Sequence, residues 1–358
     1  MKRNALFIVL FAFVCASAQE ESVSYNKNLQ TTIIQPETPD TEKGNDYGPN
    51  RLQGKTVEIN EDNFPDPNFR AWLLEQDYGQ DGVLTDEEIG EVTEINIFRA
   101  GIKSMEGIKT FKELEGLSLT LNDLSELDVS GLTKLGALMV QENHLTKLDL
   151  TGCKELEGLS CNGNQLSELN LSGYTRLRYL NCNDNRLTRL DISDCTNLHH
   201  VYCNKNQLSE LILPPAKEMV WLMCGDNRLT KIDISGLPRL DWLYCYGNQI
   251  GSEAMGDIIE NLPVEYSNAF FYVIRGDIPD GNVCTRDQVA AARAKGWIPR
   301  TYSNGGGSEE YEGTDPVSVA EIKVEKADDP WYDLSGRKLQ KAPEKGLYIQ
   351  DGKKKTHP

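Results

Sequence analysis

The sequence predicts an α/β repeat fold: a curved, right-handed solenoid of eight coils, with one short strand per coil forming a single parallel sheet on the concave face. A helical cap is expected before it and a small β module after it. Three observations carry that prediction. Asparagine recurs every 21 residues, at Asn122, Asn143, Asn164, Asn185, Asn206, Asn227 and Asn248. A cysteine stands three residues before each of the last five (Cys161, Cys182, Cys203, Cys224, Cys245), with Leu119 and Val140 filling that slot in the first two copies. Leucines keep one phase relative to both columns, and a fixed period of this size marks stacked units that bury a shared core.

Within one unit, Leu156 to Leu166, Leu159 and Cys161 alternate with Gly158, Ser160 and Asn162, which reads as a short strand with one face inward. Leu166, Leu169 and Leu171 complete the coil before the chain turns through Ser172-Gly173. A single coil cannot close its own core, so the stack supplies it and both ends need caps. The asparagine column is read as structural, because an amide both donates to and accepts from backbone groups where the chain bends away from a strand. The cysteine column is read as a core ladder of reduced thiols acting as small hydrophobes. Parallel inward side chains lie about 4.8 Å apart, wider than the ~3.8 Å between Cβ atoms that a disulfide prefers, and no C-x-x-C pair occurs. Cys153 and Cys195, two coils apart on the opposite side of the coil, and Cys284 are left open as to redox state.

The frame C-N-x-N-x-L-x-x-L-x-[L/I]-S, at Cys161 to Ser172 and Cys182 to Ser193, resembles the cysteine-containing 21-residue leucine-rich repeats of internalin-like and Bacteroidetes surface proteins. The resemblance covers 92–250. It implies a leucine-rich-repeat solenoid on an exported protein used for recognition or adhesion, with the partner left open because this architecture serves unrelated partners.

The remaining elements follow in chain order. Met1-Lys2-Arg3-Asn4, an apolar run from Ala5 to Cys15 and Ala16-Ser17-Ala18 form a secretory leader over 1–18, too short to span a bilayer. A lipid anchor on Cys15 is the alternative, against which Val14 stands where such signals want a small residue. Residues 19–57 are polar without apolar periodicity and read as a disordered tether. Over 58–91 a cap is expected, with a helix starting at Asp66-Pro67. Asp77 to Glu88 resembles an EF-hand loop, with carboxylates at positions one, five and twelve, glycine at six and Thr85 at nine. Its metal candidates are Asp77, Asp81, the Val83 carbonyl and Glu88. Gly79 stands where a third oxygen ligand is usual, so two readings remain: weak calcium binding, or a cap of EF-hand shape without metal.

Val92 to Phe111 is an eighth, slightly longer coil, and the repeats run to residue 250. A C-terminal cap is expected over 251–302: a helix from Met255 to Leu262, a strand from Phe270 to Ile274 and a helix from Asp287 to Lys295 that ends at Gly296. A flexible linker over 303–316 follows. In the module at 317–358, Val317 to Val324, Trp331 to Leu339 and Gly346 to Ile349 alternate like three short strands. The last part resembles type IX secretion sorting domains, although Thr356-His357-Pro358 stands where such domains carry an apolar closing strand.

Composition bounds the function. With 37 basic and 55 acidic residues the chain carries a net charge of −18, which argues against nucleic-acid binding. No stretch after the leader is long and apolar enough for a membrane helix. There is no G-x-S-x-G, no H-E-x-x-H and no phosphate loop, and only four histidines, so catalysis is not expected. The outward strand positions fall in three columns, each grading from small or polar to aromatic. They run Gly116, Ala137, Gly158, Tyr179, His200, Trp221, Trp242; Ser118, Met139, Ser160, Asn181, Tyr202, Met223, Tyr244; and Thr120, Gln141, Asn162, Asn183, Asn204, Gly225, Tyr246. Exposed aromatics mark interaction sites. The candidate partner-binding residues are therefore Tyr179, His200, Tyr202, Trp221, Met223, Trp242, Tyr244 and Tyr246, on an arc of about 29 Å over seven coils. The expectation is a monomeric, secreted or surface-displayed protein that binds a protein or carbohydrate ligand. The alternatives are a structural surface protein without a defined ligand, and a fold in which the end cap or C-terminal module covers these rings.

Overall fold

The computed structural model describes residues 56–264, 269–304 and 307–315, and the backbone of four short strands between 331 and 357. The expected leader, the tether up to residue 55 and the strand expected at Val317 to Val324 lie outside the described residues. The chain divides into two units, one ending at Gly313 and the other running from Thr314 to Pro358.

Strand β1 (Thr56–Glu58) pairs antiparallel with β2 (Val83–Thr85), so the cap begins two residues inside the segment read as tether. Between them runs helix α1 (Pro67–Glu75). Asp66 Oδ1 accepts from the amides of Asn68 (2.9 Å) and Phe69 (3.0 Å), and its Oδ2 accepts from those of Lys103 (2.7 Å) and Ser104 (3.0 Å). One buried carboxylate therefore satisfies the orphan donors of the helix end and ties the helix to the first coil. Phe69 and Leu73 face the core, where Phe64 meets Phe69 edge-on at 5.6 Å. Helix α2 (Asp86–Glu91) opens on a capping box between Thr85 and Glu88.

The coils contribute strands β3 (Glu94–Asn96), β4 (Gly116–Ser118), β5 (Glu126–Asp128), β6 (Ala137–Met139), β7 (Lys147–Asp149), β8 (Gly158–Ser160), β9 (Tyr179–Asn181), β10 (Arg189–Asp191), β11 (His200–Tyr202), β12 (Glu210–Ile212), β13 (Trp221–Met223) and β14 (Trp242–Tyr244). The C-terminal end adds helix α3 (Ser252–Asn261), strand β15 (Ala269–Arg275), helix α4 (Arg286–Ala294) and strand β16 (Trp297–Tyr302). A ten-stranded sheet runs β3-β4-β6-β8-β9-β11-β13-β14-β15-β16, parallel throughout. The far side of the coil carries the shorter parallel pairs β5–β7 and β10–β12. Each strand centre, from Leu117 through Val201 to Leu243, is buried, as are the five stacked thiols Cys161 to Cys245. Burial pushes the Cys161 thiol up to about 12, so it stays protonated and inert at neutral pH. Cys153, Cys195 and Cys284 are likewise buried and free.

Each asparagine bridges two coils. Asn185 Nδ2 donates to the Cys161 carbonyl of the preceding coil (3.0 Å) and the Cys182 carbonyl of its own (3.3 Å), while its Oδ1 accepts from the Leu166 amide (2.9 Å). Stepped by 21 residues, the same partners recur at Asn143, Asn164, Asn206, Asn227 and Asn248. The residue before each asparagine is left-handed, including Leu121, Glu142, Asp184, Lys205 and Asp226 at φ between 50° and 57°. A non-glycine residue pays roughly 1–2 kcal/mol for that conformation, so the amide bonds that follow must outweigh it.

The C-terminal cap is a modified coil. Asn282 Nδ2 donates to the Cys245 and Val273 carbonyls (2.8 Å each) and its Oδ1 accepts from the Ile250 amide (2.9 Å), which repeats the bridge outside the 21-residue period. Thr301 and Tyr311 then hydrogen-bond antiparallel to Glu309 and Pro299 (2.9 Å each), and Arg293 ion-pairs with Glu310 (3.1 Å) and Glu312 (3.0 Å). The linker expected over 303–316 is corrected there: residues 309–313 fold back and cover the sheet edge that would otherwise stand open. In the second unit, β17 (Trp331–Tyr332), β18 (Lys338–Leu339), β19 (Gly346–Gln350) and β20 (Lys353–His357) form an antiparallel sheet in the order β18-β17-β19-β20. A closing strand is thus present without apolar residues, because backbone pairing suffices and lysine suits an edge.

Charge alternates from coil to coil outside the sheet. One column reads Glu113, Lys134, Glu155, Arg176, Asn197, Glu218, Arg239, with ion pairs Glu113–Lys134, Glu155–Arg176 and Glu218–Arg239. Another reads Glu126, Lys147, Glu168, Arg189, Glu210, Lys231, with Arg189 Nε 2.7 Å from Glu210.

Replacing Asn185 with alanine strands the buried Leu166 amide and leaves the Cys161 and Cys182 carbonyls with one asparagine donor each, Asn164 and Asn206; an unpaired buried group costs about 1–3 kcal/mol. Urea denaturation is expected to show a loss of that size, about 1–3 kcal/mol; a neutral result contradicts the bridging role. Thiol titration with an aromatic disulfide is expected to leave Cys161, Cys182, Cys203, Cys224 and Cys245 unreacted until denaturant is added.

Candidate functional site

Strand register brings the outward columns together as the spacing requires. Tyr179, His200, Trp221 and Trp242 are consecutive Cα partners, as are Asn181, Tyr202, Met223 and Tyr244. The rings touch in series: Tyr179–Tyr202 at 5.5 Å, His200–Trp221 at 4.8 Å and Trp221–Trp242 at 5.3 Å between centroids. They form a hydrophobic cluster separate from the solenoid core. Within it His200, Trp221 and Trp242 are half-buried, whereas Tyr179, Tyr202, Met223 and Tyr244 are buried.

Tyr246 stands in the outer cluster, as its column requires, but is covered and 0% exposed. Its ring occupies the space where Gly225 would carry a Cβ, at 2.6 Å from that position. On its other side it stacks on Tyr302, 4.0 Å away and within 4° of parallel. A third-column glycine provides a recess that the next coil's tyrosine fills, and Tyr302 of the cap covers it, so Tyr246 joins cap to solenoid and is closed to a partner. Arg275 completes the junction: its guanidinium is 2.7 Å from Asp226 and 2.8 Å from Asp277. The pairing holds the Asp277 carboxyl down at about 2.

The end cap extends the face. Phe270 and Tyr272 are register partners of Trp242 and Tyr244, with centroids at 4.7 and 4.2 Å, and both are half-buried. Arg300 lies over the Phe270 ring at 5.2 Å. Sequence reasoning identified the strand but left these residues out of the site, because 28 residues separate Trp242 from Phe270 and the period fails there. The alternation Phe270, Tyr272, Ile274 was the available signal.

The face is electrically quiet. None of the outward positions in the seven asparagine-bearing coils is Asp, Glu, Lys or Arg, in a chain that is 26% charged. Burial, with His199 beside it, pushes His200 down to about 4, so its imidazole is neutral at physiological pH. A concavity of about 960 Å³ on the other side of the coil, between β7 and β10, is lined by Lys147, Lys154, Arg189, Asp149, Asp191 and Asp194. Two of its charges are locally engaged, Lys154 with the Ser172 carbonyl (2.7 Å) and Asp194 with the Gly173 amide (2.8 Å).

In the loop from Asp77 to Glu88, a side chain at Gly79 would strike the Leu73 carbonyl at 2.1 Å, which explains why no ligand stands at that position. Glu88 Oε2 accepts from the Thr85 amide and hydroxyl (2.8 Å each), Asp81 Oδ1 accepts from the Val83 amide (3.0 Å), and Asp77 Oδ1 lies 3.5 Å from the Gln80 amide nitrogen. The four residues share one loop, but no group of three acidic, histidine or cysteine side chains able to hold a metal forms among the described residues. No helix among them is long and apolar enough to cross a membrane.

The family model described as leucine rich repeats (2 copies) matches residues 175–215. No curated protein matches the chain. Among solved structures, the functional domain of InlJ from Listeria monocytogenes, described as including a cysteine ladder, is 23% identical over 71% of this chain and 62% of its own length, with a TM-score of 0.41. Internalin C2 from the same organism is 21% identical over 52% of this chain and 95% of its own, at 0.39. A leucine-rich-repeat protein of Leptospira interrogans is 19% identical over 62% and 69%, at 0.41. The chain thus spans less than two thirds of the InlJ domain. Its fold is that of a leucine-rich-repeat solenoid.

The depressed His200 value sets a pH dependence. Folding favours the neutral ring, so this contribution is fully present above the unfolded value of 6.5 and is lost as pH falls toward 4. The thermal midpoint of the wild type is expected to drop more steeply across that window than that of His200→Gln; equal slopes would remove His200 from the account.

Proposed function

We propose that this chain is a non-catalytic recognition protein, secreted or displayed on a bacterial surface, that binds a protein or glycan partner across the C-terminal half of the sheet's outward face. The observation that carries the reading is the row Trp221, Trp242, Phe270 on adjacent strands, each ring half-buried. A coil does not require aromatic residues there, since Gly116, Ala137 and Gly158 fill the same slot in earlier coils. Large rings held by neighbouring rings are ordered before binding, and Trp and Tyr are the residue types that most often carry binding energy. Export is supported by the leader-like pattern of residues 1–18 and by the resemblance of the C-terminal segment to sorting domains.

The test is a double substitution, Trp221→Ala with Trp242→Ala. Loss of one central anchor costs about 2 kcal/mol or more, roughly thirtyfold in affinity, and the pair is expected to lose more than either alone. Both rings belong to the outer cluster and not to the solenoid core, so the fold should survive, with the five stacked thiols still unreactive. Unchanged partner binding by the double variant would place the site elsewhere.

A further inference from the structure

Building on the reading of this face as a binding site, we infer that its partner is a glycan of uncharged sugars. Three observations converge. First, the chain is strongly acidic overall, yet the outward positions of seven successive coils hold no carboxylate, ammonium or guanidinium, and the one titratable imidazole among them is held neutral. Charge has been kept off this surface while the flanks alternate in sign at nearly every coil. A protein partner is about one-quarter charged in composition and is steered and registered by complementary charge. Across the seven asparagine-bearing coils this face offers none. An anionic polysaccharide or nucleic acid finds no basic row either, and Arg300 stands only at the cap edge, over Phe270.

Second, the uncharged groups come in two kinds, laid out separately. The row Trp221, Trp242, Phe270 has ring spacings of 5.3 and 4.7 Å. Toward the N-terminal half the corresponding surface carries amides and hydroxyls, among them Ser118, Thr120, Gln141, Asn162 and Asn183. A pyranose ring presents the same pair of chemistries, an apolar face of C–H groups that lies flat on an aromatic ring and an equatorial rim of hydroxyls that both donate and accept. Amides match that rim because each offers donors and an acceptor.

Third, Gln141 Oε1 is shielded from solvent and has no hydrogen-bond partner. A rotation of the Gln141 side chain that brings this oxygen to a ligand hydroxyl relieves the free-energy cost of an unpaired polar atom.

The experiment is affinity electrophoresis of the intact chain through gels containing one polysaccharide each: neutral β-glucan, mannan, xylan and galactan beside anionic polygalacturonate and heparin. Retardation is expected with at least one neutral polymer, undiminished as salt is raised, because no charged pair is there to be screened. It is expected to weaken at least tenfold in Trp242→Ala and also in Gln141→Leu. Retardation by the anionic polymers alone, or by none of the six, overturns the glycan assignment. A display library of peptides run in parallel separates the two levels of the argument. Peptide binding lost in Trp242→Ala keeps the face and replaces its ligand with protein, whereas polysaccharide binding that survives Trp221→Ala with Trp242→Ala removes the face itself.

Discussion

The asparagine amide that reaches from one coil to the next is the interaction on which the rest depends. Strands of three residues make few ladder bonds, and at each strand end the chain turns sharply through a left-handed residue, leaving backbone groups without strand partners. Buried backbone groups must be paired, and one amide answers three of them at once, two on its own or the preceding coil's carbonyls and one on the preceding coil's amide. Because the bridge spans adjacent coils, it fixes their register as well as their separation. Every outward column inherits that register, so the alignment of Tyr179, His200, Trp221 and Trp242 is a consequence of amides on the far edge of the strand.

How much of this was legible depended on whether a residue obeyed the period. The coils, the buried thiols and the three outward columns follow from spacing alone, since a repeat that stacks must place equivalent residues in line. What escaped was everything that leaves the period while keeping its geometry. Asn282 performs the same bridge as Asn248, but the loop between β15 and Asn282 hides the spacing. Phe270 and Tyr272 continue two columns across a 28-residue interval. Tyr246 obeys the period and keeps its side of the sheet, but its exposure is set by the recess above Gly225 and by Tyr302, neither of which a single-coil template contains. In the cap loop, the pattern of carboxylates was visible and the reason for Gly79 was not, since that reason is a carbonyl in helix α1.

The two surfaces of the coil are built on opposite rules. Outside the sheet, exposed ion pairs step from coil to coil and each contributes little by itself. On the sheet, ionic groups are confined to Glu94 in the first strand and to Arg275 and Arg300 in the cap strands, and rings accumulate toward the cap. The C-terminal cap serves both: its strands prolong the ring rows, and the buried Arg275 clamps Asp226 of the last coils to the cap loop. Sealing the solenoid and extending its face are therefore done by the same residues.

The alternating charge columns carry a consequence for how such a chain can lengthen. Deleting or copying one 21-residue coil would set Glu113 against Glu155, or Lys147 against Arg189, and like charges directly opposite on neighbouring strands are destabilising. Deleting or copying two coils restores the alternation throughout the second column, and in the first column up to Arg176, where Asn197 interrupts it. The period that the eye finds is one coil, but over the coils up to Arg176 the unit that duplication can transmit without electrostatic conflict is a pair.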